Sequence, residues 1–124
     1  MGLDRTIRYP NGQTPSWDAI RAALHRVGED TSLRMIDGLP AFPGETPEGG
    51  WKELRIGTAA GMVTIRRGPD VLTCVVWGNA EGHLRAAWDK LCWACAAAGG
   101  GTIDTPSGPL PADEFARSAG LSPS

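Results

Sequence analysis

The sequence has little excess charge of either sign and no long hydrophobic run. Its 124 residues carry 12 basic and 14 acidic side chains, a formal net charge of −2. A chain this close to neutral lacks the electrostatic attraction that duplex nucleic acid or an anionic membrane rewards, so we expect neither as a partner. No apolar run approaches the about 20 residues of a transmembrane helix. The segment after Met1 shows no apolar core of a secretory signal.

Cysteine is scarce and odd in number. Cys74, Cys92 and Cys95 all lie in apolar segments, whereas a secreted disulfide scaffold carries an even number in turn-rich chain. We therefore expect three core thiols in a cytoplasmic protein. Cys92 and Cys95 have the spacing of a redox pair, but they fall deep inside a predicted helix, away from the N–H groups that stabilise a thiolate. A zinc site would need His83 and offers only one short-spaced pair, so no metal is predicted.

Catalytic motifs are missing as well. The two histidines, His25 and His83, lie on predicted helices, and neither accompanies a nucleophile motif. The glycine triplet before Thr102 lacks the lysine of a phosphate-binding loop and follows a helix instead of opening one. Fourteen acidic residues make some carboxylate pair inevitable, so such a pair indicates nothing. The sequence therefore predicts no catalytic residue and no cofactor.

What the sequence does contain is the pattern of one α+β domain over 1–124. The spacing of Trp17, Ile20 and Leu24 predicts a helix, capped by Thr14 and ended by Gly28. The predicted helices cover about 15–27, 80–98 (capped by Asn79) and 111–119.

Three strand-like runs between 52 and 77 have short connectors, which predict an antiparallel meander. Further strands are expected at 31–37, with Leu33 and Met35 on one face, and at 102–105. The sheet should hold four or five strands, with the helices packed mainly on one face. The segment 38–50 is rich in Pro and Gly and reads as a loop. Segments 1–13 and 122–124 are expected to be extended or frayed ends.

One sheet face is a candidate binding surface. If the apolar residues of the meander face the core, Arg55, Arg66 and Thr64 lie on the other side, and Trp77 joins them in one of two possible facings of its strand. Arginine beside an aromatic ring suits an anionic ligand, single-stranded nucleic acid or a protein partner. The alternative is that the arginine stems only cover apolar sheet surface. Trp93, off the main helical stripe, is a candidate homodimer contact, or else packs inside the chain on Ile7 and Tyr9.

These features favour a small non-catalytic interaction or ligand-binding module whose partner is a protein or a small anionic ligand. One alternative is a small enzyme that uses carboxylate or histidine chemistry without a recognisable motif. Another is a standalone immunity- or chaperone-like partner of a second protein. A pocket lined by convergent polar groups would favour the enzyme, whereas a stable protein complex would favour the last of these.

Overall fold

The structure, a computed structural model, describes residues 3–42, 44–77 and 82–124. In these ranges the chain forms an α+β fold with three helices: α1 (Trp17–Arg26), α2 (Gly82–Gly99) and α3 (Ala112–Ala119). The strands are β1 (Leu3–Arg8), β2 (Thr31–Ile36), β3 (Leu39–Pro40), β4 (Glu53–Thr58), β5 (Gly61–Arg67), β6 (Val71–Val76), β7 (Thr102–Thr105) and β8 (Gly108–Pro111). No helix in the described ranges is long and apolar enough to cross a membrane.

All of these strands belong to one antiparallel sheet with the order β3-β2-β4-β5-β6-β1-β7-β8. The predicted α+β class and the β4-β5-β6 meander are confirmed. The predicted number of strands is wrong, since the sheet has eight strands instead of four or five. The additional strands are β1, β3 and β8.

Each of these strands lacks the apolar alternation by which a strand is recognised. β1 carries Arg5 between Leu3 and Ile7, yet it lies in the sheet between β6 and β7. β3 has two residues and follows a tight turn in which Asp37 and Gly38 both have positive φ, at 51° and 82°, as a two-residue hairpin turn requires. β8 is an edge strand with two prolines, which an edge tolerates.

Described residues near both ends of the chain make hydrogen bonds to the rest of the fold. Residues 3–8 of the predicted extended N-terminal segment form β1. At the other end, the Ser124 amide donates to the Arg26 carbonyl at 2.9 Å, and the Arg26 Nε donates to the Ser124 carbonyl at 3.0 Å. The predicted loop 38–50 contains β3, and its described residues after Pro40 form no helix or strand.

Three helix ends follow standard capping rules, with one correction to a predicted cap. The N-cap of α1 is Ser16, whose hydroxyl accepts from the Ala19 amide at 3.2 Å, and not Thr14. Gly28 ends this helix with φ of 70°, and Gly120 ends α3 with φ of 74°, both in the left-handed region that glycine adopts without strain. The predicted cap Asn79 lies outside the described residues.

The core lies between one face of the sheet and the helices. Helix α2 crosses β5, β6, β1 and β7, and α1 and α3 pack against α2 from its sides. The Trp88 indole Nε1 donates to the Cys74 carbonyl of β6 at 3.0 Å, so α2 is fixed to the middle of the sheet. Because α2 has neighbours on several sides, its second half is buried around most of its circumference rather than along one stripe.

Replacing Trp88 with alanine should therefore cost about 3–5 kcal/mol of the free energy of unfolding, as large aromatic truncations in cores do. Urea denaturation monitored by far-UV circular dichroism measures this change. The matched control is Trp77→Ala, because the Trp77 side chain is 56% exposed and should cost less than about 1 kcal/mol. Equal costs for the two variants would contradict the assignment of α2 to the core.

Candidate binding surface on the sheet

The register of β4, β5 and β6 places the predicted site residues on one face. Arg55 pairs with Thr64, and Thr64 pairs with Val75. Arg66 pairs with Glu53, two residues before Arg55 on β4. Since directly paired residues and residues two apart along a strand share a face, Arg55, Thr64 and Arg66 lie on the face opposite the helices. We call this side of the sheet the free face.

Trp77 follows Val75 by two residues and falls on the same side, which decides between the two facings that the sequence left open. Its side chain is 56% exposed, and the guanidinium carbon of Arg66 lies 5.5 Å from the centroid of its ring. Met62, also on this side, is 41% exposed. Exposed Trp, Met and Arg side chains are the types enriched at protein interfaces.

Thr64 occupies the centre of the free face and is 3% exposed, although the helices lie on the other side of the sheet. Its neighbour Val75 is 5% exposed. Longer side chains of the same face must therefore cover both, as arginine stems do over apolar sheet surface. Thr64 thus lies beneath the longer side chains of this face, and a partner would contact the arginines and Trp77 first.

Arg34 is a further member of this surface that the sequence analysis missed. A register shift between Leu33 and Met35 puts Leu33 opposite Ile56 in the core and Met35 opposite Arg55 on the free face, so the predicted shared face of Leu33 and Met35 is wrong. Arg34, in the shift, lies over Gly57, where an added Cβ would sit 2.7 Å from the arginine Nε. A glycine inside a strand was the one signal for such a close approach.

The charges on the free face are unevenly distributed. Over β2, β4 and β5 lie Arg34, Arg55 and Arg66, accompanied by Glu53, whose carboxylate is 3.7 Å from the Arg55 Nε. Towards β7, Arg8 pairs with Asp104 at 2.9 Å, which cancels charge there. The exposed face of a chain with net charge −2 therefore has a local positive patch beside an exposed indole.

Trp93, the candidate homodimer contact, lies within the fold. Its side chain is 3% exposed, and the guanidinium carbon of Arg26 from α1 lies 5.3 Å from its ring centroid. Residues of α3 and the C-terminal segment, among them Ala116 and Leu121, line a cavity beside it. The chain itself covers this indole, with Arg26 of α1 and residues of α3 beside it. We therefore leave Trp93 out of the binding surface.

The cysteines and the catalytic alternatives can be placed as well. Cys74, Cys92 and Cys95 are free and buried, with the Cys74 and Cys95 sulfurs 3.7 Å apart. No group of three or more potential metal-ligating side chains is found in 3–42, 44–77 and 82–124. His25 and His83 are both exposed on their helices.

Asp37 is the carboxylate with the clearest local role. Its side chain accepts hydrogen bonds from the Lys52 amide at 2.7 Å and the Glu53 amide at 2.9 Å, and these bonds lower its pKa. This carboxylate therefore joins the β2–β3 turn to the start of β4.

Comparison of the chain with protein-family models, with curated proteins and with solved structures finds no match. We therefore infer function from the geometry of the free face itself.

Burial also predicts how the thiols react. Burial raises the pKa of the Cys92 thiol well above its ordinary value, and a buried thiol is a poor nucleophile. All three cysteines should stay unreactive towards a disulfide reagent in the native protein. They should react together in about 6 M guanidinium chloride, which unfolds even very stable proteins. Mass spectrometry of the labelled protein counts the modified thiols. Rapid native labelling of Cys92 or Cys95 would contradict the core assignment.

Proposed function

We propose that this protein is a non-catalytic interaction module whose free face binds an acidic surface of a protein partner. The observation that carries the proposal is that Arg34, Arg55 and Arg66 share one sheet face with the exposed Trp77, opposite the helices. Arginine and tryptophan are the residues that most often dominate binding energy at protein interfaces. The positive patch supplies charge complementarity to an acidic partner.

The shape of the surface favours a protein over a small ligand. Small-molecule sites are concave and enclose most of the ligand, whereas none of the residues Arg55, Thr64, Arg66 and Trp77 lines any of four cavities in the described parts of the chain. Single-stranded nucleic acid is bound by several stacking aromatic rings. Of the two exposed aromatics among the described residues, Phe42 and Trp77, only Trp77 follows a strand next to those that carry Arg55 and Arg66. A sheet face with separated arginines fits a macromolecular partner.

The side chains of the free face also favour binding over catalysis. The free face carries arginines, threonines and apolar side chains. Among its carboxylates, Glu53 lies beside Arg55 and Asp104 beside Arg8, and Asp4 lies opposite Val75 in the register. An immunity- or chaperone-like role is a form of the proposed function in which the partner complex is stable and stoichiometric. Three unpaired, buried thiols fit a reducing compartment, so we place this interaction in the cytoplasm.

The test compares two double variants with the same change in charge. Arg55→Ala with Arg66→Ala removes two arginines of the free face, and Arg85→Ala with Arg117→Ala removes two exposed arginines of the helical side. Each protein is immobilised and exposed to the same cell extract. The bound proteins are then compared by quantitative mass spectrometry with isotope labels. We expect an acidic protein that is retained by the wild type and by the helical-side variant, but reduced at least about tenfold by the free-face variant.

Two further measurements, the stability of the variants and the salt dependence of binding, complete this test. Both variants should unfold within about 0.5 kcal/mol of the wild type per exposed substitution, so a loss of binding would not reflect unfolding. The difference between wild type and free-face variant should be larger at low ionic strength, where exposed charges are less screened. The proposal is wrong if every retained protein binds the free-face variant as well as it binds the helical-side variant.

A further inference from the structure

A small cavity lies at the N-terminal end of α1, away from the free face. Its volume is about 220 Å³, and it is bounded by the segment Thr14–Asp18 and by loop residues between Thr46 and Trp51. Arg67, the last residue of β5, completes the wall. The aromatic residues that line it are Trp17 and Trp51. Arg66 and Arg67 are adjacent on β5 and therefore point to opposite sides of the sheet.

Two N–H donors of the residues that line this cavity have no acceptor among the described residues. One is the Nε1 of Trp17, whose side chain is 2% exposed, and the other is the Nε of Arg67. Buried donors are paired in the large majority of cases, with protein or with a bound acceptor. The Trp88 indole shows the ordinary arrangement, because its Nε1 donates to a carbonyl. Two orphaned donors on one cavity point to an acceptor that belongs inside it.

Arg67 also lacks a counter-ion. Its Nη1 donates to the Gly49 carbonyl, and its guanidinium carbon lies 4.1 Å from the Trp51 ring centroid. Within 4 Å of its nitrogens there is no carboxylate of the described residues. Asp18 lines the cavity too, but it pairs with Arg21 at 3.4 Å. Asp37 acts on Arg67 only at longer range. A guanidinium stays charged even when burial opposes it, so an anion would compensate this charge.

The backbone adds to this preference. The first turn of α1 lines the cavity, and the N-terminal end of a helix carries partial positive charge on amides that have no partner within the helix. Ser16 uses its hydroxyl to cap Ala19. The cavity therefore combines an arginine, an indole N–H and the positive end of a helix, between aromatic and proline walls.

We propose that this cavity binds a small carboxylate. One oxygen of a planar carboxylate can accept a hydrogen bond from Arg67 Nε, because carboxylate and guanidinium groups have matching planar geometry. The second oxygen can accept from the Trp17 indole N–H. The volume suits a ligand of only a few non-hydrogen atoms, since drug-sized ligands occupy about 300–1,000 Å³. A single arginine supplies too little positive charge to favour a doubly charged phosphate. This site is independent of the proposed interaction at the free face.

Indole resonances in ¹H–¹⁵N NMR spectra test the proposal, because each of the five tryptophans gives a separate signal. Trp17→Phe, which removes the donor but keeps an aromatic ring, assigns the Trp17 signal. Titration with sodium acetate should shift this signal downfield and saturate, while the Trp88 and Trp93 signals stay in place. Sodium chloride at equal ionic strength should produce no saturable shift, and sodium phosphate should bind more weakly than acetate.

Neighbouring arginines provide the matched control. Arg67→Gln should weaken acetate binding at least tenfold, whereas Arg66→Gln should leave it unchanged because that side chain lies on the other side of the sheet. If Arg67→Gln disturbs the fold, the wild-type comparison of acetate with chloride still decides. The proposal is overturned if acetate and chloride shift the Trp17 signal alike, if phosphate binds more tightly than acetate, or if the two arginine variants lose binding equally.

Discussion

The hydrogen bond from the Trp88 indole to the Cys74 carbonyl holds α2 across the middle of the sheet. Directly opposite Cys74 in the register, β1 presents Arg5 to the same helix. Its guanidinium carbon lies 3.9 Å from the Trp88 ring centroid and 5.1 Å from that of Phe115, and it pairs with Asp89. One arginine thus links the interior strand β1 to α2 and α3. The other helices pack on α2, so the helical layer depends on this contact.

This arrangement leaves the second face of the sheet without a helical layer. A sheet face in water needs polar side chains, and here long arginine stems cover the smaller side chains beneath them while their charged ends remain in solvent. The same strand serves both sides, because Arg66 points to the free face and Arg67 points to the cavity near α1. Because side chains alternate between the two faces along β5, the proposed protein-binding surface and the proposed carboxylate site lie on opposite sides of the same strand.

The sequence predicted the parts of the fold that periodicity controls. Alternation in β4 and β5 was enough to place Arg55, Thr64 and Arg66 together, since short connectors left little freedom of register. Periodicity failed for β1, where Arg5 interrupts the apolar pattern. The core face tolerates this arginine because Asp89, distant in sequence, pairs with its charge. It also failed for Arg34, because a local register shift cannot be read from alternation. The cavity at Arg67 joins residues distant in sequence, which only the folded chain brings together.

The central claim is that the arginine-bearing face of the sheet is free while the helical side is closed. Hydroxyl-radical footprinting of the isolated protein, read residue by residue with mass spectrometry, tests it most directly. We expect rapid oxidation of Trp77 and Met62 and slow oxidation of Trp88 and Trp93, in line with their exposure. Protection of Trp77 in the isolated monomer, or oxidation of Trp88 as fast as that of Trp77, would contradict the account.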